Sequence, residues 1–311
     1  MAGPLIGAQV AGRGSRKSSA AALSIASNCV LIALKLAAGA ITGSVAIITE
    51  AMHSSVDLIA SIVAFVSVRQ ADKPADADHP YGHDKFENLA AAIEALLILV
   101  GSGVIVFESV RRLSTSHTAV SSLGIGIAVI AISMVANVGV SSVLARRARE
   151  TDSPALEGDA AHLRTDAATS AAVLGGLVIV QVTGQTWLDP VIALVVAVAI
   201  VSAGVRLLMR ASRVLVDEAL PPQELDAVRE AIEQFGPRGV RGYHKLRARR
   251  AGSRRYVDLH VQFASGTTLE DAHDIAHQLQ DAIRARLRGA DVLIHLEPEG
   301  SVHPGTELPP C

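Results

Sequence analysis

The 311-residue chain is 50% apolar and only 19% charged, with a mean hydropathy of +0.38, a composition too apolar for a water-soluble protein of this size. A formal net charge of −2 supplies no basic surplus for a phosphate backbone, which argues against nucleic acid as a partner. The two cysteines, Cys29 and Cys311, build neither a disulfide framework nor a thiolate zinc cluster, so any metal site has to use nitrogen and oxygen donors.

In chain order, Arg13, Arg16 and Lys17 precede an apolar run at 20–42. Basic residues before an apolar run resemble the opening of a signal peptide, but this run is too long for one, so it is expected to stay as a first membrane helix behind a cytoplasmic segment 1–19. A hydrocarbon core of ~30 Å takes about 20 apolar residues in a helix. Runs of that kind recur at 44–68, 88–110, 123–144, 160–182 and 191–209, which predicts six transmembrane helices in a domain over 20–217. Gly43 parts the first two, a polar loop containing Pro74 and Pro80 parts the second from the third, and Asp189-Pro190 opens the sixth. Arg13, Arg16, Lys17, Arg69, Lys73, Lys85, Arg146, Arg147, Arg149, Arg210 and Arg213 fall on one side, against Arg111 and Arg112 on the other. The positive side faces the cytoplasm, which places both termini there.

From 218 the hydrophobic period changes. A helix over 222–235, strands over 243–249 and 255–263, a helix over 268–287 and a strand over 292–295 give the order αββαβ. That order predicts a small two-layer, ferredoxin-like cytoplasmic domain over 218–311.

An ionisable side chain inside a membrane helix costs roughly 2.5 to 3.5 kcal/mol on insertion scales, so each one asks for a function. The second helix carries His53 and Asp57 and the fifth carries His162 and Asp166, both as HxxxD. A four-residue spacing sets the two side chains of each pair on one helix face, and two such faces turned together offer two imidazoles and two carboxylates, a donor set suited to tetrahedral zinc. Asp76, His79 and His83 put three donors in eight residues of the polar loop, and the tail holds His244, His260, His273, His277, His295 and Glu297. A lone histidine in a soluble domain is most often a surface residue, whereas a cluster points to metal. Asn28, Lys35, Glu50, Glu94, Glu108, Asn137 and Arg164 are further polar residues of the apolar runs, with no transport role assigned to any of them; interhelical hydrogen bonding is the expected job of Asn28, Glu50 and Asn137.

These residues resemble the cation diffusion facilitator family of divalent metal transporters. The resemblance runs through both HxxxD pairs, Pro74-Ala75-Asp76, His79-Pro80-Tyr81-Gly82-His83-Asp84-Lys85, Asp189-Pro190 and the histidine-bearing αββαβ tail. It implies a homodimer in a lipid bilayer that exchanges cytoplasmic zinc for protons. It also implies a transport site of His53, Asp57, His162 and Asp166, and a loop site of Asp76, His79 and His83. A cytoplasmic cluster of His244, His260, His273, His295 and Glu297 at the dimer interface follows as well, with a charge pair of Lys85 and Asp217. The segment 146–154, taken as the link between the fourth and fifth helices, lacks the histidines of some eukaryotic zinc carriers. Two imidazoles at the transport site favour zinc, with cadmium, cobalt or iron as alternatives. No organelle-targeting segment is visible, which favours a prokaryotic plasma membrane. An intramembrane metallohydrolase is the competing class, but the chain has no HExxH motif and no spare general base for it. A membrane-anchored metal sensor leaves the costly ligands within the bilayer unexplained.

Overall fold

A computed structural model describes residues 3–42, 45–114, 123–185 and 187–301. Six long helices come first: α1 (Gly3–Thr42), α2 (Val45–Ala71), α3 (Lys85–Ser114), α4 (Leu123–Thr151), α5 (Pro154–Thr183) and α6 (Leu188–Leu215). Among the described residues, four of them are long and apolar enough to cross a membrane, over Arg16–Ile41, Lys85–Arg111, Ile127–Thr151 and Pro190–Leu215. The other two, α2 and α5, are the helices that carry the HxxxD pairs.

The helices outrun their apolar stretches. At 40 residues α1 is about 60 Å long, twice what the hydrocarbon core needs, so the expected segment 1–19 is helical from Gly3 onward. Of the segment 146–154, only Asp152 and Ser153 are a link and the rest is helix. Arg146 and Arg147 donate to Glu150 at 2.9 and 2.7 Å, three- and four-residue pairs that support a polar helical end, and α4 therefore continues to Thr151. Asp152, at φ 54°, and Ser153 alone separate α4 from α5, which starts on Pro154, a residue whose fixed φ suits a first helical turn.

Packing in this unit puts many small and polar residues inside and many large apolar ones outside. Ala60, Ala64, Ala90, Ala95, Ala155 and Ala197 are buried, as are Ser24, Asn28, Ser61, Glu87, Glu94 and Asp159. Val30, Val66, Val100, Val104, Phe107, Val135, Val195 and Val198 are exposed, each more than half so. That arrangement fits a surround of lipid, where apolar burial brings helices together weakly and close approach with interhelical hydrogen bonds does more. Gly158 on α5 shows the approach: a Cβ there would lie 3.1 Å from Glu94 Cβ and 3.2 Å from Ala91 Cα of α3.

The chain divides between Ser212 and Arg213 into two compact units. The second has α7 (Pro222–Glu233), β1 (Val240–Ala251), β2 (Arg254–Phe263), α8 (Leu269–Arg286) and β3 (Ala290–Pro298), the αββαβ order expected of it. The strands lie in the order β1-β2-β3, with β1 and β2 antiparallel and β2 and β3 parallel. A parallel pair needs a crossover, and α8 supplies it. Thr268 caps α8, accepting a hydrogen bond from Asp271 N at 3.1 Å. Its residues Ala272, Ala276, Leu279 and Ile283, three or four apart, pack with Val228, Ile232 and Phe235 onto Val257, Leu259, Val261 and Phe263 of β2. That core lies on one face of the sheet. Alternation along β2 sends Tyr256, Asp258, His260 and Gln262 to the other face.

Candidate metal centres

In the membrane unit, α5 places His162 and Asp166 one turn apart and α2 brings Asp57 to them. His162 Nε2 is 3.3 Å from Asp57 Oδ1 and 3.8 Å from Asp166 Oδ2. The three ligand atoms lie within 4.8 Å of one another, with Asp57 and His162 buried. Tetrahedral zinc with bonds of about 2.0 Å sets its donors about 3.3 Å apart, so this trio needs little movement to close on an ion. His53 sits on α2 one turn before Asp57, and its side chain lies outside the described residues.

Polar groups buttress the trio from α1. Asn28 Nδ2 donates to Ser61 Oγ at 2.9 Å and reaches Asp57 O at 3.5 Å, while Lys35 Nζ donates to Ser54 Oγ at 2.6 Å. Ser24 and Ser61 both lie within hydroxyl-donating distance of Asp159 Oδ1, at 3.2 Å. Asp159 is fully buried, three residues before His162 on the same face of α5, and sequence reading passed over it because the fifth helix was expected to start at 160. At the neighbouring end of the bundle Lys17 pairs with Glu87 at 2.6 Å, Ser153 also donates to Glu87, and all three are buried. From sequence, Lys17 counted only as a basic residue before the first helix.

The loop between α2 and α3 folds around Asp76. Its Oδ1 accepts from the backbone N–H of Asp78 at 3.1 Å and of His79 at 2.7 Å. His79 Nδ1 lies 3.3 Å from Oδ1 and His83 Nε2 3.3 Å from Oδ2. The bond from the His79 backbone holds the Asp76 carboxyl below the usual carboxylate range, helped by the two imidazoles. Asp76 and His79 are exposed and His83 is buried, and Gly82, at φ 86°, makes the turn that folds His83 back onto the loop.

In the second unit, strand register does the work. His244 of β1 pairs with His260 of β2, which pairs with His295 of β3, so three imidazoles stand in one row on the sheet face away from α7 and α8. Glu297, two residues beyond His295, reaches back along that face. Its Oε2 is 2.6 Å from His244 Nε2, its Oε1 is 2.6 Å from His260 Nδ1, and His295 Nε2 is 3.7 Å away. The hydrogen bonds from His260 and then His244 hold the Glu297 carboxyl below its ordinary range. His244, His260 and Glu297 form a donor group within 4.8 Å.

His273 does not join that row within the chain. It lies on the exposed side of α8 next to His277, ring centroids 4.4 Å apart, whereas the helix face toward the sheet is Ala272, Ala276, Leu279 and Ile283. Asp217 accepts from Arg249 at 2.9 Å, and Lys85 is the first residue of α3.

A family model described as the cation efflux transmembrane domain matches residues 21–216, and one described as the cytoplasmic domain of cation efflux proteins matches residues 220–299. A Synechocystis sp. protein described as an uncharacterised transporter is 37% identical over 279 residues, 89% of either chain. The cation-efflux pump FieF of Pectobacterium atrosepticum is 33% identical over 88% of this chain and 90% of its own. Metal tolerance protein C1 of Arabidopsis thaliana is 34% identical over 89% of this chain and 61% of its own. Among solved structures, the metal-bound C-terminal domain of the CzcD transporter from Thermotoga maritima is 26% identical, covering 27% of this chain and all of that one, with a TM-score of 0.25.

Proposed function

Given that the chain belongs to the cation diffusion facilitator family of cation-efflux transporters, we propose that it exports zinc from the cytoplasm in exchange for protons, as a homodimer in the plasma membrane with both termini cytoplasmic. Membership of a transporter family sets the hydrolase reading aside. The observation that carries the proposal is the convergence of Asp57, His162 and Asp166 inside the helical bundle, with His53 on the same helix as Asp57. Mixed imidazole and carboxylate donors in a tetrahedral number favour zinc over harder ions such as manganese. All six long helices span the membrane in this reading.

Protons enter through the ligands themselves. Zinc requires neutral imidazoles and ionised carboxylates, so protons and metal compete for the same atoms. A site that loses its ion in a low-dielectric surround takes up protons and returns with them. The loop trio of Asp76, His79 and His83 is a second zinc position at the cytoplasmic mouth. The row of His244, His260, His295 and Glu297 is a third, where the short contacts to Glu297 open by roughly 0.7 Å to admit an ion between the donors. His273, outside that row, is the donor that a second protomer supplies.

The test is flux into proteoliposomes with zinc, cadmium, cobalt, manganese and iron compared side by side, with and without an imposed pH gradient. Zinc is expected to move fastest, driven by a gradient of inward-moving protons. Its flux should slow as the loading side is acidified through the histidine range of about pH 6 to 7. Zinc flux indifferent to the gradient and to a proton ionophore would replace antiport with uniport. A faster manganese or iron flux would overturn the choice of zinc.

A further inference from the structure

One buried acid is used neither by the metal trio nor by the structural networks. Glu94 of α3 is fully buried, and among the described residues both of its carboxylate oxygens lack a hydrogen-bond partner. Its stem lies over Gly158 of α5, where a Cβ would come within 3.1 Å of it. It stands nine residues from the start of α3, as His162 stands eight from the start of α5, so the two sit at similar depth in the bundle. The charged groups that act on it are His162, Asp159 and Asp166 of α5 and Asp57 of α2. His53, also on α2, lies outside the described side chains.

Among the described residues no lysine or arginine pairs with Glu94, and the single imidazole of His162 acts on it against the three carboxylates of Asp57, Asp159 and Asp166. Lys17 is committed to Glu87, and Lys35 donates to Ser54. Where α6 packs on α3, it presents Ile200 and Leu207 to Ala95 and Ile98, and Arg206 is exposed. Asp159, the neighbouring acid, differs in having two hydroxyls at its Oδ1. A buried carboxylate that accepts no hydrogen bond and faces three other acids is far costlier than the neutral acid. The occupant that this geometry favours is a proton rather than a metal ion. An ion needs several donors at once, and Glu94 is not part of the group formed by Asp57, His162 and Asp166, whereas a proton needs one carboxylate.

We propose that Glu94 is a proton-binding site of the transporter, protonated while the metal site is empty and deprotonated when metal arrives. The O–H bond at Glu94 breaks and the proton leaves to water on the side to which the site is open. The carboxylate left behind offsets one of the two positive charges that the ion brings into the bundle. This rests on the antiport reading and deepens it, since it assigns one of the exchanged protons to a residue outside the ligand set.

The experiment is zinc titration of the purified full-length protein in weakly buffered detergent solution, counting protons released per ion bound with an indicator dye. Glu94→Gln keeps the shape and removes the titratable group. It is expected to release about one proton fewer per protomer than the wild type, and to bind zinc with a shallower pH dependence. An unchanged proton count overturns the proposal. Infrared difference spectra of the wild type, zinc-bound minus empty, supply a readout that does not depend on the variant folding. A protonated-carboxyl band should vanish on zinc addition, and its absence from the empty wild type overturns the assignment. A folded Glu94→Gln protein that still shows that loss overturns it equally. Failure of the antiport reading looks different: the wild type itself would then release no protons and ignore a pH gradient.

Discussion

The membrane unit and the cytoplasmic domain assemble the same donor types by opposite means. On the sheet, His244, His260 and His295 fall into one row through strand register alone, and Glu297 joins them because a strand repeats its faces every second residue. In the bundle, Asp57 and the His162–Asp166 pair come from different helices, and only tertiary packing brings them together. The cores differ as well. The sheet domain buries Val257, Leu259, Val261 and Phe263, whereas the bundle mixes alanines, serines and acids with large side chains such as Val68, Leu144 and Leu156 in its interior and turns many other valines outward. A sheet-borne site therefore survives local damage. A bundle-borne site depends on every polar partner in its surroundings.

The largest effect that sharpens this contrast is expected in the bundle. Asp57→Ala or Asp166→Ala should abolish zinc flux at normal membrane abundance, because a tetrahedral site short of one donor no longer holds its ion through the cycle. Normal flux at normal abundance would remove these residues from the site. Next comes packing. Gly158→Val drives a branched side chain into Glu94 and the backbone of Ala91, so α3 and α5 have to separate. A cost on the order of 1–3 kcal/mol is expected, read as a lower unfolding temperature and lower abundance. A valine tolerated without change would show that the helices are not held as closely as described.

In the sheet domain the effect is smaller and separable. Glu297→Ala should lower zinc binding to the full-length protein by about one ion per protomer while flux persists, since the row is independent of the bundle. An unchanged stoichiometry would leave the row without a metal role. Acidification has a defined sign here. The Glu297 carboxyl is held below its usual range, so the stability from its pairing is present above the ordinary carboxylate pKa of about 4.3 and is lost only as pH falls through the lowered value. Zinc is therefore expected to leave the row, as pH falls, before Glu297 is protonated. Loss of zinc only below the carboxylate range would contradict that. The smallest effect is expected at the polar end of α4. Glu150→Gln removes exposed pairs with Arg146 and Arg147 and should leave the unfolding temperature unchanged, because water screens exposed pairs; a clear fall would mark that end as structurally essential.

The two HxxxD pairs were legible in the sequence because a four-residue spacing defines a helix face without tertiary information. The αββαβ order was legible for a similar reason, as the change from helical to alternating period is local. What escaped depends on packing. Asp159 was lost when the fifth helix was started six residues late, and the Lys17–Glu87–Ser153 network joins α1, α3 and the α4–α5 connection, which no local pattern connects. The segment 146–154 read as a link because charge was taken for a loop, whereas helical pairs carry that charge. That the helix turns His273 away from the sheet depends on which face of α8 packs, which the sequence reading did not assign. Glu94 was visible as an intramembrane acid, but its lack of partners is a property of the packed bundle.

The two-residue connection at Asp152 and Ser153 has a mechanical consequence. Two residues span at most about 7 Å, and Ser153 is further tied down by its bonds to Ala148 O and the Glu87 carboxylate. With so little slack, α5 cannot tilt or slide on its own, and α4 must travel with it as the second arm of a rigid hairpin. Any rearrangement that turns His162 and Asp166 from one side of the membrane to the other thus sweeps the outer, apolar surface of α4 through the surrounding lipid. In the proposed transport cycle, the thickness and fluidity of the bilayer are then expected to enter the turnover rate through a joint of two residues.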